Sequence, residues 1–275
     1  MMRKIQLVGL ILGLTAIAFY FRTPVTTARA DMDYGIPYDD FHEVFLDSSK
    51  WLAVPTCSAT PFVDTTASVN VLDCAREIEN SELRLFVKAY GDPSSDQGRQ
   101  FGPSELYFTN PNAVKTMTAT LSIKGINSIG CPTNSTPSFG QAILGGNYFN
   151  PGTGNPKDDV AAVMLVQPFS PGTDLGVFAL VFSPNAFYGF STLGPIKLNE
   201  PLTGKVQWDQ PNHRFIFSAV GPNLNSTKTI SYSAADTTPA AAPMKLLAGR
   251  AFVPNCTTRQ TTADVEVLFQ SVAIK

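Results

Sequence analysis

Three carboxylates fall within six residues at Glu77-Ile78-Glu79-Asn80-Ser81-Glu82. Retaining glycoside hydrolysis needs two carboxyl groups about 5 to 5.5 Å apart, one as acid and base and one as nucleophile, which spacing along a strand can provide. Glu77, Glu79 and Glu82 are therefore the candidate catalytic set. Two features weigh against it. Trp51 and Trp208 are the only tryptophans from which a sugar platform could be built, and the segment runs directly into an alternating stretch from Leu83 to Tyr90. The preferred reading is a polar turn leading into a strand.

A second chemistry is sugar binding without catalysis, in which an aromatic ring stacks on the apolar face of a pyranose among amides and carboxylates. The candidates are Trp208, Tyr148 beside Gly145-Gly146-Asn147, and Tyr107. Trp208 alternates in phase with Val206, a pattern that also suits core packing. Other catalytic motifs fail on their residues. His42-Glu43 lacks the second histidine of H-E-x-x-H. Gly189 to Gly194 misses G-x-S-x-G by one residue, and Pro195 opposes the helix that a nucleophile elbow needs. Gly204-Lys205 is followed by Val206 where a phosphate loop carries Ser or Thr. His42 and His213 are the only histidines, and His213 sits in a Pro-Asn-His-Arg turn that reads as exposed.

The N-terminus sets the expected compartment. Arg3 and Lys4 precede an apolar run from Ile5 to Phe21, and Ala28-Arg29-Ala30 follows before Asp31. This is the order of a secretory signal, with cleavage expected after Ala30. A secreted, periplasmic or cell-surface protein follows, with no stable membrane insertion after cleavage. The leader holds Arg3, Lys4, Arg22 and Arg29 and no acid, so residues 31–275 carry 16 basic and 22 acidic side chains and a net charge of −6. That balance excludes general electrostatic attraction to nucleic acid.

Four cysteines, Cys57, Cys74, Cys131 and Cys256, read as two disulfides in an exported chain. Three pairings exist, and the expected one is Cys57 with Cys74 and Cys131 with Cys256. No C-x-x-C supports zinc, and no other cofactor is expected on spacing. Asn134, Asn225 and Asn255 open N-x-S/T triplets, which matter only in a eukaryotic secretory path.

No run of 12 or more residues has a helical period. Short alternating segments recur at Leu83–Ala89, Met117–Ile123, Val206–Trp208, Phe215–Ala219 and Val265–Phe269, the last extending toward Val272 and Ile274. Continuous apolar runs at Val160–Val166 and Val177–Phe182 suit strands buried on both faces. Pro-Asn pairs beginning at Pro111, Pro184, Pro211, Pro222 and Pro254 mark chain reversals. Ala234–Pro243 reads as an exposed connection, and Thr56–Asn70 and Gly130–Phe139 as the longest irregular inserts. The expectation is an all-β, two-sheet antiparallel jelly-roll sandwich in one domain over residues 31–275, with little or no helix outside the signal.

Asp39-Asp40-Phe41 followed by Leu46-Asp47-Ser48-Ser49-Lys50-Trp51 resembles the opening of exported concanavalin A-like (laminin G/laminarinase-like) jelly rolls. Ser81–Leu85, Gly204–Asp209 with Arg214–Phe217, and Ala263–Ile274 are similar to its early core strand, a hairpin and its terminal strand. The resemblance spans most of Asp39 to Ile274. Laminarinase-like members carry E-x-D-x-x-E on a strand near the middle of the chain, and Glu77, Glu79 and Glu82 reproduce its spacing earlier in this chain with Glu in the central position. The resemblance also implies a structural calcium ion held by the N-terminal Asp39 and Asp40, although Gln270 stands where members commonly show Asp. Lectins, glycosidases, lyases and proteins without a known ligand share the fold, so it does not select a function. The expectation is a non-catalytic binding module for a glycan or cell-surface polymer. The alternatives are a glycoside hydrolase or lyase using the Glu cluster, and a structural envelope or matrix protein. Oligomeric state is not legible in the sequence.

Overall fold

The alternating segments become strands because one face of each can be buried while the other stays polar. The computed structural model describes residues 35–52, 72–169 and 174–275, which belong to one compact unit. The strands in chain order are β1 (Ile36–Asp39), β2 (Trp51–Leu52), β3 (Leu72–Glu79), β4 (Glu82–Tyr90), β5 (Arg99–Phe108), β6 (Thr116–Ile129), β7 (Phe139–Asn150) and β8 (Val160–Pro168). They continue with β9 (Leu175–Ser183), β10 (Ala186–Ile196), β11 (Leu202–Asp209), β12 (Arg214–Gly221), β13 (Leu224–Ser231), β14 (Thr238–Pro239), β15 (Lys245–Pro254) and β16 (Thr262–Ile274). The only helical pieces among the described residues are 3-10 turns at Pro111–Ala113, Pro156–Asp158 and Gln210–Asn212. Each carries proline near its start, where the missing N–H costs nothing.

Two antiparallel sheets result. One runs β13-β12-β11-β6-β16-β4-β3, with β1 paired to the end of β16. The other runs β10-β9-β8-β7-β15-β5-β2, with β14 paired to β7. The fold is the expected two-sheet sandwich. Leu83, Leu85 and Val87 of β4 and Val265, Val267 and Phe269 of β16 are buried in the core that the second sheet closes with Leu106, Phe108, Leu247 and Val253. Burying such a side chain is worth about 1.5–3 kcal/mol, and this layer is what holds the sheets together.

β7 departs from regular strand geometry in a way that matters for the site. Gly145 and Gly146 have φ of 142° and 150°, and a Cβ there would lie 2.2 Å from Ala162 O and 2.0 Å from Met244 O. Only glycine lets β7 pass this close to both neighbours. A bulge follows between Asn147 and Phe149. The extra residue breaks alternation, so Tyr148 and Phe149 both enter the core.

The Cys131–Cys256 disulfide forms as expected, joining the loop after β6 to the end of β15 across 125 residues. Cys74 is also disulfide-bonded, while Cys57 lies outside the described residues, as do the signal segment and Thr56–Asn70. Asn134 and Asn255 are buried beside the Cys131–Cys256 bridge, where the Asn134 amide donates to Gly98 O at 2.9 Å and Asn255 O at 3.1 Å. Asn225 is exposed on β13.

Two connections carry more structure than their composition suggests. Ala234–Pro243 is mostly exposed, as expected, and is also pinned down as a strap. Asp236 and Ala240 are buried, β14 pairs with the end of β7, and buried Asp159 accepts from the Ala241 and Ala242 amides at 2.8 and 2.7 Å. An acidic side chain capping two strap amides fixes a segment whose small, polar composition reads as loose. The polar turn expected at Glu77–Glu82 narrows to two residues. Asn80 and Ser81, with φ of 52° and 62°, form the tight hairpin turn, and Glu77 and Glu79 belong to the strand before it.

Candidate functional site

A pocket of about 170 Å³ opens at one end of the sandwich, lined by Asn112, Tyr148, Trp208, Gln210, Asp236, Thr237, Thr238 and Pro239. Its walls come from four stretches of the chain, one of which runs from Trp208 directly into the turn that holds Gln210. Tyr148 arrives on the β7 bulge, Trp208 near the end of β11, Asn112 and Gln210 on two proline-led 3-10 turns, and the remainder on the strap. The structure thus brings Trp208 and Tyr148 together, their rings 6.0 Å apart at 67°.

Phe149 stacks on the Trp208 indole at 5.5 Å and 16°. The exposed Lys115 places its ammonium 5.9 Å from the same ring. Trp208 Nε1 donates to the Tyr232 hydroxyl at 2.6 Å, and that hydroxyl donates to Asp236 Oδ2 at 2.6 Å. His213 Nδ1 lies 3.0 Å from the same oxygen, and Gln210 Nε2 donates to Asp236 O at 2.7 Å. Burial and then the bond to Asp236 push the Tyr232 phenol well above its ordinary pKa, so it stays a donor. His213 is in a turn with its ring 59% exposed, as the sequence suggests, but it also braces a buried carboxylate.

Beneath the pocket lies Lys245, fully buried, with Nζ donating to Pro111 O at 2.7 Å and Asn147 O at 3.1 Å and sitting 4.2 Å from the Tyr148 ring centre. Desolvation lowers its pKa to about 7. The Tyr148 hydroxyl and Asn147 Oδ1 are buried without a hydrogen-bond partner. Such groups carry a desolvation cost.

The other predicted residues lie elsewhere. Tyr107 is not among the pocket residues. It packs with Ile143, Leu246 and Ala248, and its hydroxyl donates to buried Glu105, which pairs with Arg250 at 2.6 Å. Glu77, Glu79 and Glu82 stand on the β3–β4 hairpin. Glu79 and Glu82 face each other across the turn, and the Glu77 and Glu79 side chains are 51% and 58% exposed. Arg84 binds Glu77 and Glu266 at 2.6 Å each, bonds that raise its own pKa, while Gln270 donates to Glu82 at 2.9 Å.

Asp39 and Asp40 do not fit calcium. Asp39 Oδ1 accepts from the Phe41 amide at 2.9 Å and Oδ2 from Trp51 Nε1 at 2.6 Å, with the Lys50 ammonium 3.9 Å away. Those oxygens face N–H groups and a cation, whereas calcium needs several free oxygen ligands. Asp40 is exposed and lies 3.4 Å from the His42 ring.

Asp236, Gln210, Asn112, Tyr232 and Lys245 were not among the sequence candidates. The Pro-Asn turns at Pro111 and Pro211 were the available signal for two walls. Nothing in the spacing of Asp236 or Lys245 connects them to Trp208.

No family model matches the chain, and no curated protein matches it. Similar solved structures include a β-1,3-glucanase from Mycobacterium marinum, 13% identical over 87% of this chain and 97% of that chain, with a TM-score of 0.44. The legume lectin-like domain from Entamoeba histolytica is 8% identical over 74% of this chain and 88% of its own, with a TM-score of 0.38. Lectin I-B4 from Griffonia simplicifolia is 13% identical over 73% and 92%, with a TM-score of 0.32. The description of this chain as a two-sheet antiparallel sandwich rests on its own strand order.

Proposed function

We propose that the chain is an exported glycan-binding β-sandwich that holds one sugar unit in the Trp208–Tyr148–Asp236 pocket without cleaving it. The observation that carries this reading is convergence: two aromatic rings, two amides, a buried carboxylate and two threonines from four separate parts of the chain meet in one concavity. Apolar walls with a few fixed polar groups are the usual make-up of a small-ligand site. The pocket is smaller than the few hundred Å³ of drug-sized sites, which favours a terminal unit or side branch over a long polymer segment. Phe149 covers part of the indole, so an incoming sugar would pack on the remaining ring surface beside Lys115 and use Asp236 and the amides for its hydroxyls.

The Glu77–Glu82 hairpin takes no part in this reading, because Arg84 and Gln270 engage its carboxylates on an open face. The disulfides favour an oxidising compartment. No helix among the described residues is long and apolar enough to cross a membrane.

A glycan array followed by calorimetry tests the proposal. Saturable binding is expected, weakened at least about tenfold by Asp236→Ala and unchanged by Glu77→Gln with Glu82→Gln. Absence of saturable binding, or polysaccharide cleavage abolished by the Glu variants, would overturn it. Amino-terminal sequencing of the exported protein should begin at Asp31.

A further inference from the structure

Two cations sit against the rings that line the pocket. An aromatic pair beside a buried carboxylate is the arrangement that captures a ligand ammonium, through ring quadrupoles and direct charge attraction. Trp208, Tyr148 and Asp236 supply those parts. Yet the Lys245 ammonium already lies 4.2 Å from the Tyr148 ring centre and the Lys115 ammonium 5.9 Å from that of Trp208. Lys245 has carbonyl partners, Pro111 O and Asn147 O, and no carboxylate among its hydrogen-bond partners. Its charge is therefore not cancelled locally.

Resting on the glycan-binding reading, we propose that Lys245 and Lys115 are specificity-determining residues that occupy the cation-binding positions of the Tyr148 and Trp208 rings and select against a cationic sugar in favour of an uncharged, hydroxyl-rich one. A protonated amino sugar meets two resident ammonium groups beside the rings it would stack on. A neutral hydroxyl meets no such obstacle and can hydrogen-bond to the polar groups of the pocket. Lys245 is buried against Tyr148 and Lys115 is exposed beside Trp208, so the two differ in burial while serving the same end. At an effective dielectric of about 20, one unit charge a few ångströms further than contact changes affinity by roughly tenfold or more.

The test uses the full chain lacking residues 1–30 at pH 6, where Lys245 remains charged. Calorimetry compares a neutral methyl hexoside with the matching 2-amino sugar, and indole fluorescence follows tetramethylammonium as a cation probe. Expected are neutral-sugar binding at least tenfold tighter than that of the amino sugar and no response to tetramethylammonium in the wild type. Lys115→Ala, an exposed change that spares the fold, should gain tetramethylammonium binding, and Lys245→Met should gain more. Equal affinity for the amino sugar overturns the charge rule and leaves the glycan reading standing. Binding of none of the sugars overturns the glycan reading. Failure of Lys115→Ala to gain the cation probe, with folding verified by circular dichroism, overturns the charge rule whether or not sugars bind.

Discussion

The β3–β4 hairpin and the pocket at the end of the sandwich hold similar residue types and treat them in opposite ways. On the hairpin, three glutamates stand on an open sheet face, and Arg84 and Gln270 engage three carboxylates of that face, Glu77, Glu266 and Glu82. In the pocket, one carboxylate is buried, held by Tyr232 and flanked by two aromatic rings. Surface charge pairs in water contribute little and constrain little. A carboxylate in a lower-dielectric site, fixed by donors it did not choose from solvent, is positioned for recognition. Residue spacing alone favours the hairpin, whereas enclosure favours the pocket.

The sharpest way to break this contrast is to remove the support beneath the pocket. Phe149 is fully buried and stacks on Trp208, so Phe149→Ala should cost about 3–5 kcal/mol in chemical denaturation and abolish ligand binding. A loss no larger than that of a surface substitution would mean the pocket wall is not part of the core.

The second effect is a pH dependence specific to the pocket. Lys245 has a folded pKa of about 7, below the unfolded value of about 10.4. Between these values the unfolded chain binds the proton more strongly, so stability should rise as pH increases from about 7 to about 10. Below about pH 7 both states are protonated and this contribution is flat. The rise should amount to a few kcal/mol and several degrees in Tm, and Lys245→Met should remove it. An identical pH profile in that variant would show that the ammonium is not desolvated.

Third, Asp236→Asn keeps the shape but weakens the bonds from Tyr232 and His213. It should cost about 1–3 kcal/mol of stability and at least tenfold in ligand affinity. The smallest effects belong to the hairpin. Arg84→Ala should cost at most about 1 kcal/mol and less at high salt, and Glu77→Gln with Glu82→Gln should leave binding unchanged. A hairpin variant that altered affinity would erase the distinction between the two regions.

Much of the architecture was legible because a period of two is written directly in segments such as Leu83–Tyr90 and Thr116–Lys124, and because Pro-Asn turns bound several strands. Trp208 was legible both as a core residue and as a binding candidate, and it serves as a pocket wall packed on the core. Ala234–Pro243 was legible as an exposed connection, whereas the contacts that pin it as a strap come from β7, Asp159 and Gln210, which no local pattern links to it. Tyr107 was named only as an aromatic candidate, and strand register places it opposite Leu246 of β15, away from the pocket residues.

By itself, the sequence determined an antiparallel sandwich and its buried faces, since alternation and turn chemistry act locally, while the Cys131–Cys256 bridge was one of three pairings that four cysteines allow. The tertiary structure alone decided where a ligand could sit. A bulge that turns Tyr148 inward beside Phe149, a strap that delivers Asp236, and a lysine whose charge matters only because the fold strips it of water are long-range outcomes that no local pattern encodes.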